Sequence, residues 1–384
     1  MESLIGSIVE RICVREDATR GWPGGAAPLF ARSAGGAFAG ARAFVGSLRA
    51  LGTSAALLRA GKTATCRELY YMHAAFFADA AESAAAIARL QAALSGTPRH
   101  ALGLFAASRG WVAGALRIDG VPLPIRGAPI GAEFSAPATA PLITPVGARF
   151  ILVVEKEALF RRLAEDMIWD APRARCIIVT GCGQPDLATR AFVRALADAH
   201  GPSTPVLGLA DSNPYGLAIL LAYARGSAAR PEAAGSAVPA LRWLGLRGAD
   251  VAALALPAGT RQRTTKADDA RARALAAAPA VLYGCAQLKA EVSAWIGPER
   301  EKVELEGVLA RGLGFFNVYL FAKLGLDKAG ATDKGPLDIA GVDALRLDGV
   351  GPPENAAAVV VHSRGRPRKG VKRAATGVLD DDDE

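Results

Sequence analysis

The stretch CRELYYMH, Cys66 to His73, packs an arginine, two adjacent tyrosines and a histidine into a chain whose 384 residues hold only six tyrosines and four histidines. Two readings are open for the paired tyrosines. One ring packs inward while its neighbour lies on the surface, or one of the two phenols is there for chemistry. Farther along, two carboxylates follow apolar runs, Glu155 after FILVV and Asp211 after VLGLA. Two hard oxygen donors in polar turns suit Mg²⁺, which prefers carboxylate and water ligands and meets phosphate oxygens as well. Taken singly, each acid equally suits a helix N-terminus, where it complements the macrodipole.

The elements that position these residues divide the chain by composition. Residues 1–40 are Gly/Ala-rich, weakly periodic and read as loosely ordered. Over residues 41–130 the pattern is first helical. FVGSLRALGTSAALLRAG is amphipathic and stops at Gly61, and one helix then runs from TATCRELYYMH to LQAAL with Thr63 or Thr65 as its N-cap. A short helix opened by Thr97-Pro98 follows, then GALRIDGVPLPI as a hairpin turning at Asp119-Gly120. Three helices and a small hairpin outline a winged-helix domain of the catabolite-activator-like kind.

A Pro/Gly/Ala-rich linker over residues 131–148 leads to a second domain at 149–325. There RFILVVEKEALFRRLAEDM, RCIIVTGCGQPDLATRAFVRALADA and PVLGLADSNPYGLAILLAYA each pass from an apolar run through a polar turn into a helical stretch. Such repetition implies a parallel sheet covered by helices, hence an α/β (mixed α+β) chain with its polar turns gathered at the strands' C-terminal ends, where ligands bind. Residues 326–384 lose periodicity and read as a disordered charged tail with no core of its own.

Several chemistries are set aside. Gly61-Lys62-Thr63 is preceded by Ala56 where a phosphate loop needs glycine, and by a helix where it needs a strand. The Gly181-Cys182-Gly183 turn lacks the third glycine of a dinucleotide fingerprint. Five cysteines form no C-x-x-C pair, and the histidines show neither metal-ligand spacing nor an accompanying G-x-S-x-G elbow. No basic, continuously apolar leader opens the chain, and no run approaches 18 apolar residues, so no membrane partner is expected. A net charge of +8 permits a polyanionic partner without requiring one.

The blocks VVEKEALFRRL, IIVTGCGQPDLATRAFV and GLADSNPYGLAIL resemble the core of a Toprim domain of the type found in the topoisomerase VI A chain. They resemble still more the meiotic recombination proteins of the sporulation-eleven family, with VPALRWLGL and KVELEGVLARGLGFFNVYLFAKL continuing the likeness. ATCRELYYMH is similar to that family's nucleophile motif, and the likeness covers about Val45 to Lys323. The resemblance implies a type IIB topoisomerase-like DNA transesterase that makes meiotic double-strand breaks. Tyr71 is the implied nucleophile and would leave a 5′-phosphotyrosyl link. Arg67, four residues earlier and so on the same helical face, assists it, while Tyr70 supports.

The metal Mg²⁺, with Mn²⁺ as substitute, falls to Glu155, Asp211 and Asn213. Because Asn213 stands where the family normally has a second aspartate, a second ion is expected to bind weakly. DNA contacts are implied for Arg109, which could equally be a solvated turn arginine, and for Gly181, Gly183 and Gln184. Cys182 replaces the usual lysine between those glycines. The implied partners are double-stranded DNA, a second copy of the chain in a two-fold homodimer, and a topoisomerase-VI-B-like protein. Two alternatives stand: the A component of a true topoisomerase VI, and a catalytically silent DNA-binding paralogue. The intact Arg67, Tyr71, Glu155 and Asp211 disfavour the latter.

In the tail, RGRPRK places Arg364, Arg366, Arg368 and Lys369 around a Gly-Arg-Pro core, as in an AT-hook, whose arginines enter the narrow minor groove of A·T tracts. A generic basic nuclear-targeting tail fits the same residues, and both readings lead to the nucleus. Deleting the chain from Ser363 removes six basic residues between Arg364 and Arg373. DNA affinity and the slope of its salt dependence are both expected to fall, since fewer counterions are released. Filter-binding titrations on A·T-rich and G·C-rich duplexes check the hook: equal loss on both leaves only the generic basic tail.

Overall fold

The computed structural model describes residues 36–136, 140–226, 235–326, 342 and 344–347. The segment from Arg364 to Lys369 lies outside them, as do residues 1–35.

The first unit is small. Helix α1 (Gly36–Arg59) packs on α3 (Ala80–Ala93), and the short α2 (Cys66–Met72) lies between strands β1 (Ala64–Thr65) and β2 (Leu104–Phe105), which pair in parallel. Ala50, Leu51, Leu69, Phe77, Ile87, Leu90 and Leu104 form its core. The single long helix expected after Thr65 is broken over His73–Asp79. Asp79 caps α3 by accepting from Glu82 N at 2.8 Å, and Glu82 reaches back to Ala78 N at 2.7 Å while pairing with Arg42 of α1 at 2.6 Å. This Asp-x-x-Glu box ends one helix and starts another, and the turn between them carries Phe77 into the core. The helix expected after Pro98 shrinks to a 3₁₀ turn, Arg99–Leu102, which ends at Gly103 with φ +71°.

The rest is built on one seven-stranded sheet. In chain order the remaining strands are β3 (Trp111–Gly114), β4 (Leu116–Ile118), β5 (Val121–Pro122), β6 (Ala128–Pro129), β7 (Ile143–Pro145), β8 (Phe150–Val154), β9 (Cys176–Thr180), β10 (Val206–Leu209), β11 (Arg242–Gly245), β12 (Arg261–Arg263), β13 (Glu301–Val303) and β14 (Leu345–Arg346). The sheet order is β14-β11-β10-β8-β9-β3-β6, parallel across β11-β10-β8-β9 and antiparallel at its flanks. The helices are α4 (Glu157–Glu165), α5 (Leu187–His200), α6 (Pro214–Arg225), α7 (Gly248–Ala253), α8 (Lys266–Ala276), α9 (Pro279–Leu282), α10 (Ala286–Ser293) and α11 (Phe315–Lys323).

Both faces of the sheet are covered, which is why its strands read as continuous apolar runs instead of alternating ones. Along β8, Ile151 and Val153 enter one core with Phe192 and Trp243, while Phe150, Leu152 and Val154 enter the other with Phe160 and Phe316. The strand order turns back at β8, because β9 lies on one side of it and β10 on the other. Such a switch point opens a crevice beyond the strands' carboxyl ends.

The hairpin expected as a wing beside the first three helices is seated on this larger unit instead. Asp119 at φ +50° and Gly120 at φ +78° make its tight turn, β4 pairs with β5 and β7, and Leu116 sits in the same core as Phe134 and Phe192. It is tied there because β3, immediately before it, is a strand of the large sheet: a Cβ on Gly114 would stand 2.3 Å from the Cys176 carbonyl of β9. The linker expected at 131–148 accordingly contains β7 and Phe134, whose ring packs edge-on to Phe192 at 4.7 Å.

Leu152 is fully buried in the central strand. Leu152→Ala is expected to lower stability by about 3 kcal/mol in urea unfolding, from lost burial plus the cavity left behind; a loss below about 1 kcal/mol would mean that the two cores do not meet at β8 as described.

Candidate active site

The phenol of Tyr71 is held at the surface by a short, well-capped helix. Thr65 accepts from Glu68 N at 3.0 Å and the Glu68 carboxylate answers the Thr65 amide, so α2 starts at a fixed residue. Leu69 faces the core and is fully buried, which turns Tyr71 outward to 58% exposure. One turn earlier on the same face, Arg67 donates from Nη2 to the Tyr71 hydroxyl at 3.3 Å, with its guanidinium 5.7 Å from the ring centre. Tyr70 tilts against Tyr71 at 5.1 Å between ring centres and packs on the edge of the helical core. An open pocket of about 390 Å³ lies beside this pair, lined also by Arg99, Ser83 and Cys66. His73 is tied to Thr53 at 2.8 Å, and burial together with the charge of Arg49 pushes its imidazole below the ordinary histidine range.

The two acids meet in the crevice at the sheet's switch point. Glu155 follows β8 directly and Asp211 follows β10, adjacent parallel strands, and both side chains are buried. Their contact is a backbone one: Asp211 N donates to Glu155 Oε2 at 2.9 Å. Asp211 Oδ1 accepts from Leu305 N at 2.9 Å, and its Oδ2 lies 3.1 Å from Lys156 Nζ. Burial, with the charge of Asp211 added, pushes the Glu155 carboxyl up to about 7. Burial likewise holds Asp211 above its ordinary range, against the opposing pull of Leu305 N and Lys156.

This donor set fits a hard divalent cation: two buried carboxylates with too little positive charge beside them, at a place where ligands bind in parallel sheets. Asn213 corrects the expectation that it is a third ligand. Its Oδ1 caps α6, accepting from Tyr215 N at 2.9 Å and Gly216 N at 2.8 Å, and this turns its Nδ2 toward Asp211 Oδ2 at 3.4 Å. The side chain therefore offers the acids a donor instead of a lone pair.

Sequence reading overlooked three residues here. Lys156 Nζ sits between Asp211 and two further carboxylates, Glu304 Oε2 and Glu306 Oε2, each at 3.6 Å. Ser212 and Val303 exchange backbone hydrogen bonds at 2.8 and 3.2 Å, which docks the Glu304–Glu306 segment on the Asp211 turn. The alternating acids of KVELEG were visible in the sequence, but nothing local connects them to Asp211, about ninety residues away.

Of the residues expected to meet DNA, four come together. Arg109 N donates to Asp186 Oδ2 at 2.9 Å, its guanidinium reaches Gln184 O at 3.5 Å, and Cys182 Sγ contacts its carbonyl at 3.2 Å. Gly183 takes φ +90° with open space where a Cβ would stand, and its amide donates to Glu155 O at 2.9 Å, tying the turn to the acids. Gly181 has a different reason to be glycine: a Cβ there would come within 2.7 Å of the Tyr223 hydroxyl and 2.9 Å of Pro185, so packing demands it. The Tyr71 pocket shares no lining residue with the acids or with this turn among the described residues.

The raised Glu155 carboxyl makes a testable statement about stability. Its pKa is about 7 folded against an ordinary 4.5, so the metal-free chain loses stability as pH rises through that window and carries the full cost above it. Glu155→Gln keeps an acceptor for Asp211 N and removes the charge. In thermal melts without divalent ions it is expected to exceed the wild type at pH 8 by on the order of 2 kcal/mol, with the difference gone by pH 4.5. Identical melts at pH 8 would show that the buried carboxylate is not strained.

Comparison with known proteins identifies the family of the chain. Residues 42–104 match the family described as type IIB DNA topoisomerase, and residues 150–324 match the Toprim domain shared by Spo11 and the A chain of topoisomerase 6. The chain is 34% identical over 237 residues to the meiotic recombination protein SPO11 of Mus musculus, covering 59% of this chain and 57% of that one. It is 38% identical over 228 residues to the A3 chain of DNA topoisomerase 6 from Oryza sativa subsp. indica, covering 57% and 50%. Against the meiotic recombination protein SPO11-2 of Oryza sativa subsp. japonica it is 31% identical over 295 residues, 74% of each chain. The chain spans little more than half the length of the first two. With both matched segments in order and three-quarters of a relative covered, the chain belongs to the family that unites Spo11 with the A chain of topoisomerase 6.

Proposed function

We propose that this chain is a DNA transesterase that opens both strands of a duplex to initiate meiotic recombination. The observation that carries this reading is the exposed Tyr71 phenol with the Arg67 guanidinium 3.3 Å from its oxygen. A phenol is protonated at neutral pH and needs help to attack a phosphodiester. Arg67 favours the phenolate as it forms and then the negative charge that develops on the attacked phosphate. The Tyr71 oxygen bonds to phosphorus, the bond from phosphorus to the 3′ oxygen breaks, the phenol proton is released and the departing oxygen takes one up. The products are a 5′-phosphotyrosyl ester and a 3′-hydroxyl.

Glu155 and Asp211 are the residues that would hold Mg²⁺, or Mn²⁺ in its place, which supplies positive charge to phosphate oxygens. Arg109 and the Gly181–Gln184 turn lie on the same unit and offer the DNA backbone a cation and an open glycine. As the resemblance to this family implies, the reading includes a homodimer in which each active site combines Tyr71 of one protomer with the acids of the other. A nuclear location and a topoisomerase-VI-B-like partner complete it. A second reading, relaxation of DNA with an ATP-hydrolysing B component, is favoured by the 38% identity to the rice topoisomerase 6 chain. It uses the same cleavage and differs in resealing the break.

The test is to trap the covalent protein–DNA adduct under denaturing conditions. Tyr71→Phe is expected to abolish the adduct while leaving folding and duplex binding unchanged, and Tyr70→Phe to retain at least part of it. The reverse pattern would move the nucleophile to Tyr70, and adduct formation by both variants would reject tyrosine attack from this helix.

A further inference from the structure

Lys156 follows Glu155 directly and opens α4 without capping it through its side chain. The ammonium instead turns into the acidic crevice, 3.1 Å from Asp211 Oδ2 and 3.6 Å from both Glu304 and Glu306. Which oxygen it occupies matters. Asp211 Oδ1 is committed to the amide of Leu305, and Glu155 Oε2 to the amide of Asp211. Of the two Asp211 oxygens, Oδ2 is therefore the one left for a cation, and Lys156 holds it, with Asn213 Nδ2 as a weaker second donor at 3.4 Å.

Resting on the reading that Glu155 and Asp211 hold a divalent ion, we propose that Lys156 is a built-in counter-cation that the ion must displace from Asp211, with Glu304 and Glu306 receiving the displaced ammonium. Exposure is graded along the way out. The Asp211 side chain is 5% exposed, that of Lys156 25%, and those of Glu306 and Glu304 35% and 45%. An ammonium swinging away from Asp211 keeps its pairs with the two glutamates, so the exchange sacrifices one ion pair of three. Proton loss is not the route: burial favours it, but the surrounding carboxylates, Asp211 first, outweigh burial and hold Lys156 above the ordinary lysine range. Lys156 thus acts as an affinity-setting residue. It offsets part of the crevice's negative charge when no ion is bound and raises the concentration at which an ion enters.

The experiment is calorimetric titration of Mn²⁺ into the full DNA-free chain at pH 8, with metal-free melts to confirm folding. Lys156→Met, and Lys156→Gln as a second variant, are expected to bind Mn²⁺ about tenfold more tightly than wild type, because a unit charge a few ångströms from the ion has been removed. Lys156→Arg should bind like wild type. Arg161→Gln removes a cation from the same helix that is held by Glu157 at 2.6 Å and not by Asp211, and should change affinity by less than about twofold. Replacing Glu304 and Glu306 together by glutamine should weaken binding more in the wild type than in Lys156→Met. Unchanged or weaker binding in folded Lys156→Met and Lys156→Gln, or an equal gain in Arg161→Gln, overturns the counter-cation role while leaving the metal site standing. Absence of saturable binding in wild type and Lys156→Met alike overturns the metal reading itself.

Discussion

Two carboxylates share one buried crevice because adjacent parallel strands end there, and most of the surrounding structure answers that constraint. Glu155 and Asp211 repel each other and have little water to solvate them, yet each keeps a backbone amide as donor. The amide of Leu305 comes from a segment far along the chain, and the Ser212–Val303 bridge holds it in place. Gly216 belongs to the same arrangement, since a Cβ there would lie 2.5 Å from the Asp211 carbonyl. Strain of this kind is concentrated charge awaiting a counter-ion. It explains why Lys156 turns inward instead of extending into solvent.

The tyrosine side of the molecule is organised by the opposite need. Tyr71 stands outside, and a seven-residue helix with one buried leucine is enough to orient it. The two-sided capping of α2 and the separate capping of α3 matter because a helix continuous through His73–Asp79 would carry no chain reversal behind Tyr71. Arg67 and Tyr71 are then one turn apart on a rigid element, so their distance is set locally. The distance from Tyr71 to the acids is not.

Reading the sequence was more informative about the strand-helix units than about how distant segments pack on them. The strand-helix repeats, the apolar runs and the polar turns after them were legible because a parallel sheet buries whole strands and leaves its turns polar. The winged-helix outline was less informative: the local pattern of GALRIDGVPLPI identifies a hairpin but carries no record of which core it joins. Arg109 stood as a surface arginine or a DNA contact, and its backbone tie to Asp186 places it on the same turn as Gln184 and Gly183.

Local chemistry by itself determined what lies within a few residues: the Arg67–Tyr71 pair from helical spacing, a helix start at Thr63 or Thr65, the turn at Asp119-Gly120, and the acids at the ends of apolar runs. Tertiary structure alone decided what distant segments do to one another. It made Asn213 a cap whose amide nitrogen faces Asp211, seated the hairpin on the large sheet, and brought Glu304 and Glu306 around Lys156 across some 150 residues of chain. The physical reason is range. Capping, helical spacing and turn conformation act over a handful of bonds and leave their mark in adjacent residue types. Burial and charge act through space, and only the folded chain determines which charges are left without water.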